Sequence, residues 1–375
     1  MTQRIPAEVF PPGEFIRDEL EARGWTQGVL ADVMGRPERV VSEIISGKRG
    51  ITPETARGLS AAFGTDPTFW INLEGAYRLY KVQHSDDVVK RRSALYSYAP
   101  IKEMVRRGWI EVTESVDVLE QRVKEFFEVD SIDSSPAFYG AAKASPASAS
   151  PNQLAWMFRV KQIARGMIAK RYSEKTLRDS LERLRGLMTA PEEIRHVSRI
   201  LADCGVRYVL VESLAGSKID GICFWLNDIS PVIGMSLRHD RIDNFWFVLR
   251  HEIEHVLWKH GRSSPILDVE LEGERAGTGP GVSEEEKLAN EAAADFCVPK
   301  RQMDHFVSVK GPFFAERDII GMARTLRVHP GIVAGQLQFQ TNRYDRFRTH
   351  LVKIRSFATP GAAVDGWGDV APTDS

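Results

Sequence analysis

The apolar period of this chain changes twice, and those changes limit the folds open to it. From Pro12 to about residue 204 apolar residues recur at helical spacing. Between 206 and 237 they fall instead in β-rich runs bounded by turn residues: VRYVLVE (206–212), ICFWL (222–226) and PVIGMSL (231–237). From about Asp243 the helical spacing returns. Strands set among helices point to an α+β chain. At 375 residues it is also too long for one ordinary core. The segmentation reads as a helical domain over 1–81, a helical connector and linker over 82–151, an α+β domain over 152–357 and a disordered tail over 358–375.

Composition narrows the function classes. With 43% hydrophobic and 27% charged residues the chain has ample core-forming material. Its formal net charge of −1 gives no global basic field, so nucleic-acid binding would need a local patch. Three cysteines without paired spacing argue against a disulfide framework. The first residues, MTQRIPAEVFPPGEF, lack an apolar leader, and no apolar run reaches membrane-spanning length. The expectation is a cytoplasmic protein with no membrane partner.

Residues 12–81 divide into five short helices. Gly24 stops the first; Thr26 caps the second, which runs to Met34; Gly35 supplies a turn. Pro37 to Ile45 follows, then helices opened by Thr52-Pro53 and Asp66-Pro67. The segment Thr26 to Gly47 has helix-turn-helix spacing: Ala31 is small where two helices cross, and Val41 and Ile44 anchor the second helix. Arg36, Glu38, Arg39, Ser42 and Glu43 are then left to face a major groove. Arg36 and Arg39 suit guanine edges, and Gln27 suits backbone or base. Lys48 and Arg49 suit phosphates. On PPGEFIRDEL, WTQGVLADVMG, VVSEIISGKRGITPETA and FGTDPTFWINLE, residues 12–81 resemble the DNA-binding domain of HigA-type antitoxins in the XRE repressor class. That resemblance implies a homodimer on palindromic operator DNA, and a toxin as partner.

The second constellation is HEIEH, residues 251–255, on a helix expected over about 243–260. His251 and His255 lie four residues apart, on one helix face, as two imidazoles gripping one ion must. Glu252 lies beside them and can act as a proton carrier for a zinc-activated water. A catalytic zinc needs a third ligand, and the next helix (about 283–297) offers Glu284, Glu285, Glu286 and Glu291; periodicity does not choose among them. Residues 261–285 read as a Gly-, Pro- and acid-rich loop. Strand PVIGMSL reads as an edge to which a peptide could add.

Residues from about 152 to 340 resemble the ImmA/IrrE family of metallopeptidases. The resemblance rests on HEIEH and on Glu286-Lys-Leu-Ala289-Asn290, followed by Ala292-Ala293-Ala294 and Pro299. It implies a zincin-like fold with Zn2+ held by His251, His255 and Glu286, and Glu252 as the catalytic base. Glu254 departs from the small residue common in the family and would add negative charge near the metal; Ala292-Ala293 replaces a Phe-Ala pair. Asn290 is a candidate for orienting a ligand and His329, in RVHPGIVAGQLQ, for a transition-state contact. The resulting expectation is a DNA-binding regulator with a zinc endopeptidase domain acting on a specific protein, a repressor or the chain itself. The competing class is a non-catalytic antitoxin-like repressor whose second domain binds a partner or a structural zinc.

Overall fold

A computed structural model describes residues 10–81, 86–134, 136, 138, 149–271 and 283–367. The chain divides into two compact units, residues 1–92 and 93–375.

The first unit contains α1 (Pro12–Arg23), α2 (Gln27–Met34), α3 (Glu38–Ile45), α4 (Pro53–Phe63) and α5 (Pro67–Lys81). The capping residues read from sequence perform that role. The Thr26 and Thr52 hydroxyls accept from the backbone N–H groups of Val29 and Thr55. Gly35 closes α2 at φ 63°, a left-handed conformation that glycine adopts at little cost. Ile16, Leu30, Val41, Ile44, Leu59 and Trp70 make the unit's own core. Trp70 is fully buried among Phe63 and Phe69, and its indole N–H donates to the Thr65 hydroxyl at 2.7 Å.

Helix α6 (Asp86–Tyr98) runs through the boundary between units. The second unit continues with α7 (Ile101–Arg106), α8 (Val116–Phe127), α9 (Pro151–Gly166), α10 (Glu174–Gly186) and α11 (Val197–Asp203). Strands β1 (Arg207–Val211), β2 (Ile219–Trp225) and β3 (Pro231–Met235) come next, then α12 (Ile242–Leu257) and β4 (Ile266–Val269). The remainder is α13 (Glu284–Cys297), α14 (Lys300–Lys310), α15 (Glu316–Leu326), α16 (Pro330–Thr341), α17 (Arg355–Ala358) and β5 (Ala363–Asp365).

The five strands form one sheet in the order β4-β2-β3-β1-β5, with β1 parallel to β3 and β5 and β2 antiparallel to β3 and β4. Alternation along each strand feeds two cores. Tyr208, Leu210, Cys223, Ile233 and Met235 pack with α12 and α16, whereas Val209, Val211, Ile222, Phe224 and Val232 pack with α8 and α9. The sheet therefore lies between two helical layers.

Three expectations are corrected here. Residues 82–151 are not merely a connector: Leu95, Met104, Phe126 and Phe127 are buried with α9 and the sheet. The Ala/Ser/Pro-rich stretch over 140–151 lies largely outside the described residues, though Ser150 and Gln153 form a capping box that starts α9. The segment 358–375 is not disordered throughout, because Ala363–Asp365 joins the sheet as β5. Asp365 is fully buried there, bound by the Arg159 guanidinium and the Trp109 indole; residues 368–375 lie outside the described set. Finally, PVIGMSL is not an edge: β3 lies between β2 and β1, and β4 takes the edge position.

Candidate nucleic-acid interface and metal centre

In the first unit, α2, the Gly35 turn and α3 form the helix-turn-helix pair. Ala31 is buried at 3% exposure where the helices meet, and Val41, Ile44 and Ile45 hold α3 onto the core. This leaves Arg36, Glu38, Arg39, Ser42, Lys48 and Arg49 exposed, with Gln27 half-buried at the start of α2. Glu43 ties the face together: Arg39 Nε donates to one carboxylate oxygen at 2.9 Å and Arg49 Nε to the other at 3.0 Å. Those two guanidinium groups hold the Glu43 carboxyl below its usual pKa range.

The second unit brings its ionisable side chains together at one buried point. Helix α12 places His251, Glu252 and His255, each fully buried, toward β2 and α13. The His251 and His255 Nε2 atoms are 3.0 Å apart. Glu286, in the first turn of α13, lies 3.4 Å from His251 Nε2 and 3.5 Å from His255 Nε2. Its acidic neighbours make other contacts: Glu284 pairs with Lys287, Glu285 faces His260 at 3.7 Å, and Glu291 lines an adjoining cavity.

A fourth group, Asp268 on β4, completes the cluster, its Oδ2 3.4 Å from His251 Nε2. One ligand atom from each of His251, His255, Asp268 and Glu286 lies within 4.8 Å of the others. A tetrahedral ion with bonds of about 2.0–2.1 Å requires ligand atoms roughly 3.3–3.4 Å apart, and the His–carboxylate distances of 3.4, 3.4 and 3.5 Å match that spacing. The 261–285 stretch is thus not a loop throughout. Its strand β4 pairs with β2 at Gly221↔Asp268, next to a register irregularity between Ile219 and Gly221.

Room for the cluster is built into β2. A Cβ on Gly221 would overlap the Glu252 carboxylate, so only glycine leaves that space open. Neither Glu252 oxygen, nor His251 Nδ1, nor Asp268 Oδ2 has a hydrogen-bond partner among the described residues. Burial, reinforced by Asp268, raises the Glu252 pKa well above its ordinary value. Burial disfavours a charged His251, yet the Asp268 and Glu286 carboxylates outweigh it and lift the imidazole to about 10. His255, which burial dominates, falls to about 4. Burial likewise works against an ionised Asp268, but His251 beside it prevails and holds the carboxyl below its usual range.

His260 approaches His255 Nδ1 with its own Nδ1 at 3.0 Å and so orients that ring. Two expectations need correction. Glu254 does not face the cluster: it pairs with Arg250 at 2.6 Å and accepts from the Trp258 indole at 2.8 Å. His329 caps α16 instead, accepting from the Gly331 N–H at 3.1 Å, which is a structural duty. Asn290 is half-buried one turn beyond Glu286 and lines a cavity of about 580 Å3 with Phe247, Leu271 and Phe339. The Phe247 ring stacks on His251 with centroids 6.3 Å apart, so this cavity borders the cluster.

Residues 16–70 match the helix-turn-helix family model. Over 81 residues the chain is 31% identical to the HTH-type transcriptional regulator YddM of Escherichia coli (strain K12), spanning 22% of this chain and 86% of that one. Over 84 residues it is 37% identical to antitoxin HigA-1 of Vibrio cholerae, spanning 22% of this chain and 76% of that one. Among solved structures, it is 30% identical to the Pseudomonas aeruginosa antitoxin HigA with higBA promoter, covering 21% of this chain and 88% of that one at a TM-score of 0.21. With its helix-turn-helix spacing, its buried α2–α3 crossing and these relatives, the chain belongs, through its N-terminal unit, to the DNA-binding helix-turn-helix regulators of the HigA-like, XRE type.

Proposed function

We propose that this regulator carries, in its second unit, a zinc-dependent endopeptidase that acts on a specific protein. The observation that supports it best is the position of Glu252. A fully buried carboxylate without a hydrogen-bond donor is costly. A purely structural metal site has no use for it, whereas a hydrolytic one needs a base beside its ligands. Bound zinc would supply Lewis acidity and positive charge, which acidify water, polarise a carbonyl and favour the ionised form of a nearby carboxyl group. His251, His255 and Glu286 would hold the ion. Glu252 would take the proton from attacking water and return it to the leaving amine. β4, at the sheet edge, is the strand to which a substrate peptide would add, and the cavity beside Phe247 would take one of its side chains.

For the first unit, the exposed Arg36, Glu38, Arg39 and Ser42 would read bases in the major groove, with Gln27, Lys48 and Arg49 fixing register on the backbone. A homodimer would place two such helices on half-sites about 10 bp apart or a multiple of that. A toxin partner follows only by analogy with the antitoxin relatives.

The test is Glu252→Gln in the full chain, which removes the base without removing a ligand. The variant should keep its metal and lose cleavage of the target protein. Cleavage that survives in Glu252→Gln would end the peptidase reading. A second reading, a non-catalytic repressor with a structural zinc, is favoured by Asp268, because a fourth protein ligand there would leave no open coordination position.

A further inference from the structure

Resting on the metal reading above, we propose that Asp268 is a fourth protein ligand, so that the chain itself closes the coordination shell of the ion held by His251, His255 and Glu286. Asp268 Oδ2 is as close to His251 Nε2 as Glu286 Oε2 is, at 3.4 Å in both cases. Two carboxylates on the same imidazole nitrogen at equal range are what two vertices of one polyhedron look like.

Burial and satisfaction argue the same way. Asp268 is 4% exposed, and its Oδ2 has no hydrogen-bond partner among the described residues. The cationic group it meets is the His251 imidazole at 3.4 Å, a place that a bound cation would take over. Asp268 also reaches the cluster from a strand, not from a loop: β4 pairs with β2 through Ile266, Leu267, Asp268 and Val269. Its backbone is therefore fixed, which is how a ligand is preorganised.

A shell closed by four side chains shields its ion from exogenous ligands. Asp268 would then hold the centre inert, and hydrolysis would require its carboxylate to leave the ion. The switch would lie in one side chain on an edge strand.

The experiment is Co2+ titration of the full-length chain, followed by visible absorption with and without azide. The wild type should bind one Co2+ with a tetrahedral spectrum that azide does not alter. Asp268→Ala should bind Co2+ more weakly and acquire an azide-responsive spectrum. Asp268→Asn, nearly isosteric, should show the same trend and carries the test if the alanine variant does not fold. If both variants match the wild type in affinity and spectrum, Asp268 is not a ligand, although the metal site stands. If the wild type binds no Co2+, the underlying metal reading fails, and this inference fails with it.

Discussion

The two units of this chain keep their functional groups in opposite places. In the first, Arg36, Arg39, Lys48 and Arg49 stand exposed, and the core exists to present them. In the second, His251, Glu252, His255 and Asp268 are buried, and the sheet and helices exist to exclude water from them. A DNA-reading surface must meet a large partner, so its residues can come from one short stretch, 27–49. The proposed metal centre needs ligands from several directions, so its residues come from α12, β4 and α13, whose order in the sequence says little about their meeting. The first kind of site is local and the second topological.

That contrast can be broken, and the largest expected effect is on stability. Trp70→Ala removes a fully buried indole and should destabilise the first unit by about 3–5 kcal/mol, abolishing operator binding. Because the units have separate cores, metal content of the full chain should be unchanged. Loss of metal in this variant would show that the cores are not independent. Gly221→Val should do the converse. Its side chain overlaps the Glu252 carboxylate, costing roughly 1–3 kcal/mol as an overpacked site, and should impair the metal centre while leaving DNA affinity intact in a gel-shift titration.

Within the exposed face the effects divide further. Arg39→Ala should lower discrimination against the wrong base by about 1–3 kcal/mol, read by competition between operator variants. Lys48→Ala should weaken all sequences alike and reduce the salt slope by about 1; a sequence-dependent loss there would move Lys48 to base reading. Thr26→Ala should cost about 1 kcal/mol through its lost cap, visible as a lower melting temperature of the first unit. The smallest effect is a null one. Cys204, Cys223 and Cys297 are all buried, and burial pushes the Cys297 thiol to about 12. A thiol reagent at pH 8 should therefore modify none of them in the native chain and all three in denaturant; rapid native labelling would show that the second core opens.

Legibility in the sequence follows the same division. Thr26, Gly35 and Thr52 act on their immediate neighbours, so the boundaries of α2 and α4 and the turn between α2 and α3 could be read directly. HEIEH was readable for the same reason, since four residues make one helical turn. Glu286 could be named only by family likeness, because Glu284, Glu285 and Glu291 share its helix and its chemistry. Asp268 escaped notice: a lone aspartate in a four-residue strand carries no spacing, and its neighbours 261–285 look like loop. The signal was the run ILDV after SSP, too short to distinguish from the surrounding turns. β5 was missed for a related reason. Its AVD sits in a Gly- and Ala-rich stretch, and its pairing partner β1 lies about 150 residues earlier. The position of β3 inside the sheet depends on parallel pairing with β1, which no local pattern encodes.

The central claim, a DNA-reading unit joined to a buried metal centre, is tested most directly by metal analysis of the purified full-length chain. Wild type should carry about one zinc per monomer through the buried His251–His255 face, and the His251→Ala/His255→Ala double variant, still folded in its first unit and still binding DNA, should carry none. Equal metal content in the two proteins would contradict the account.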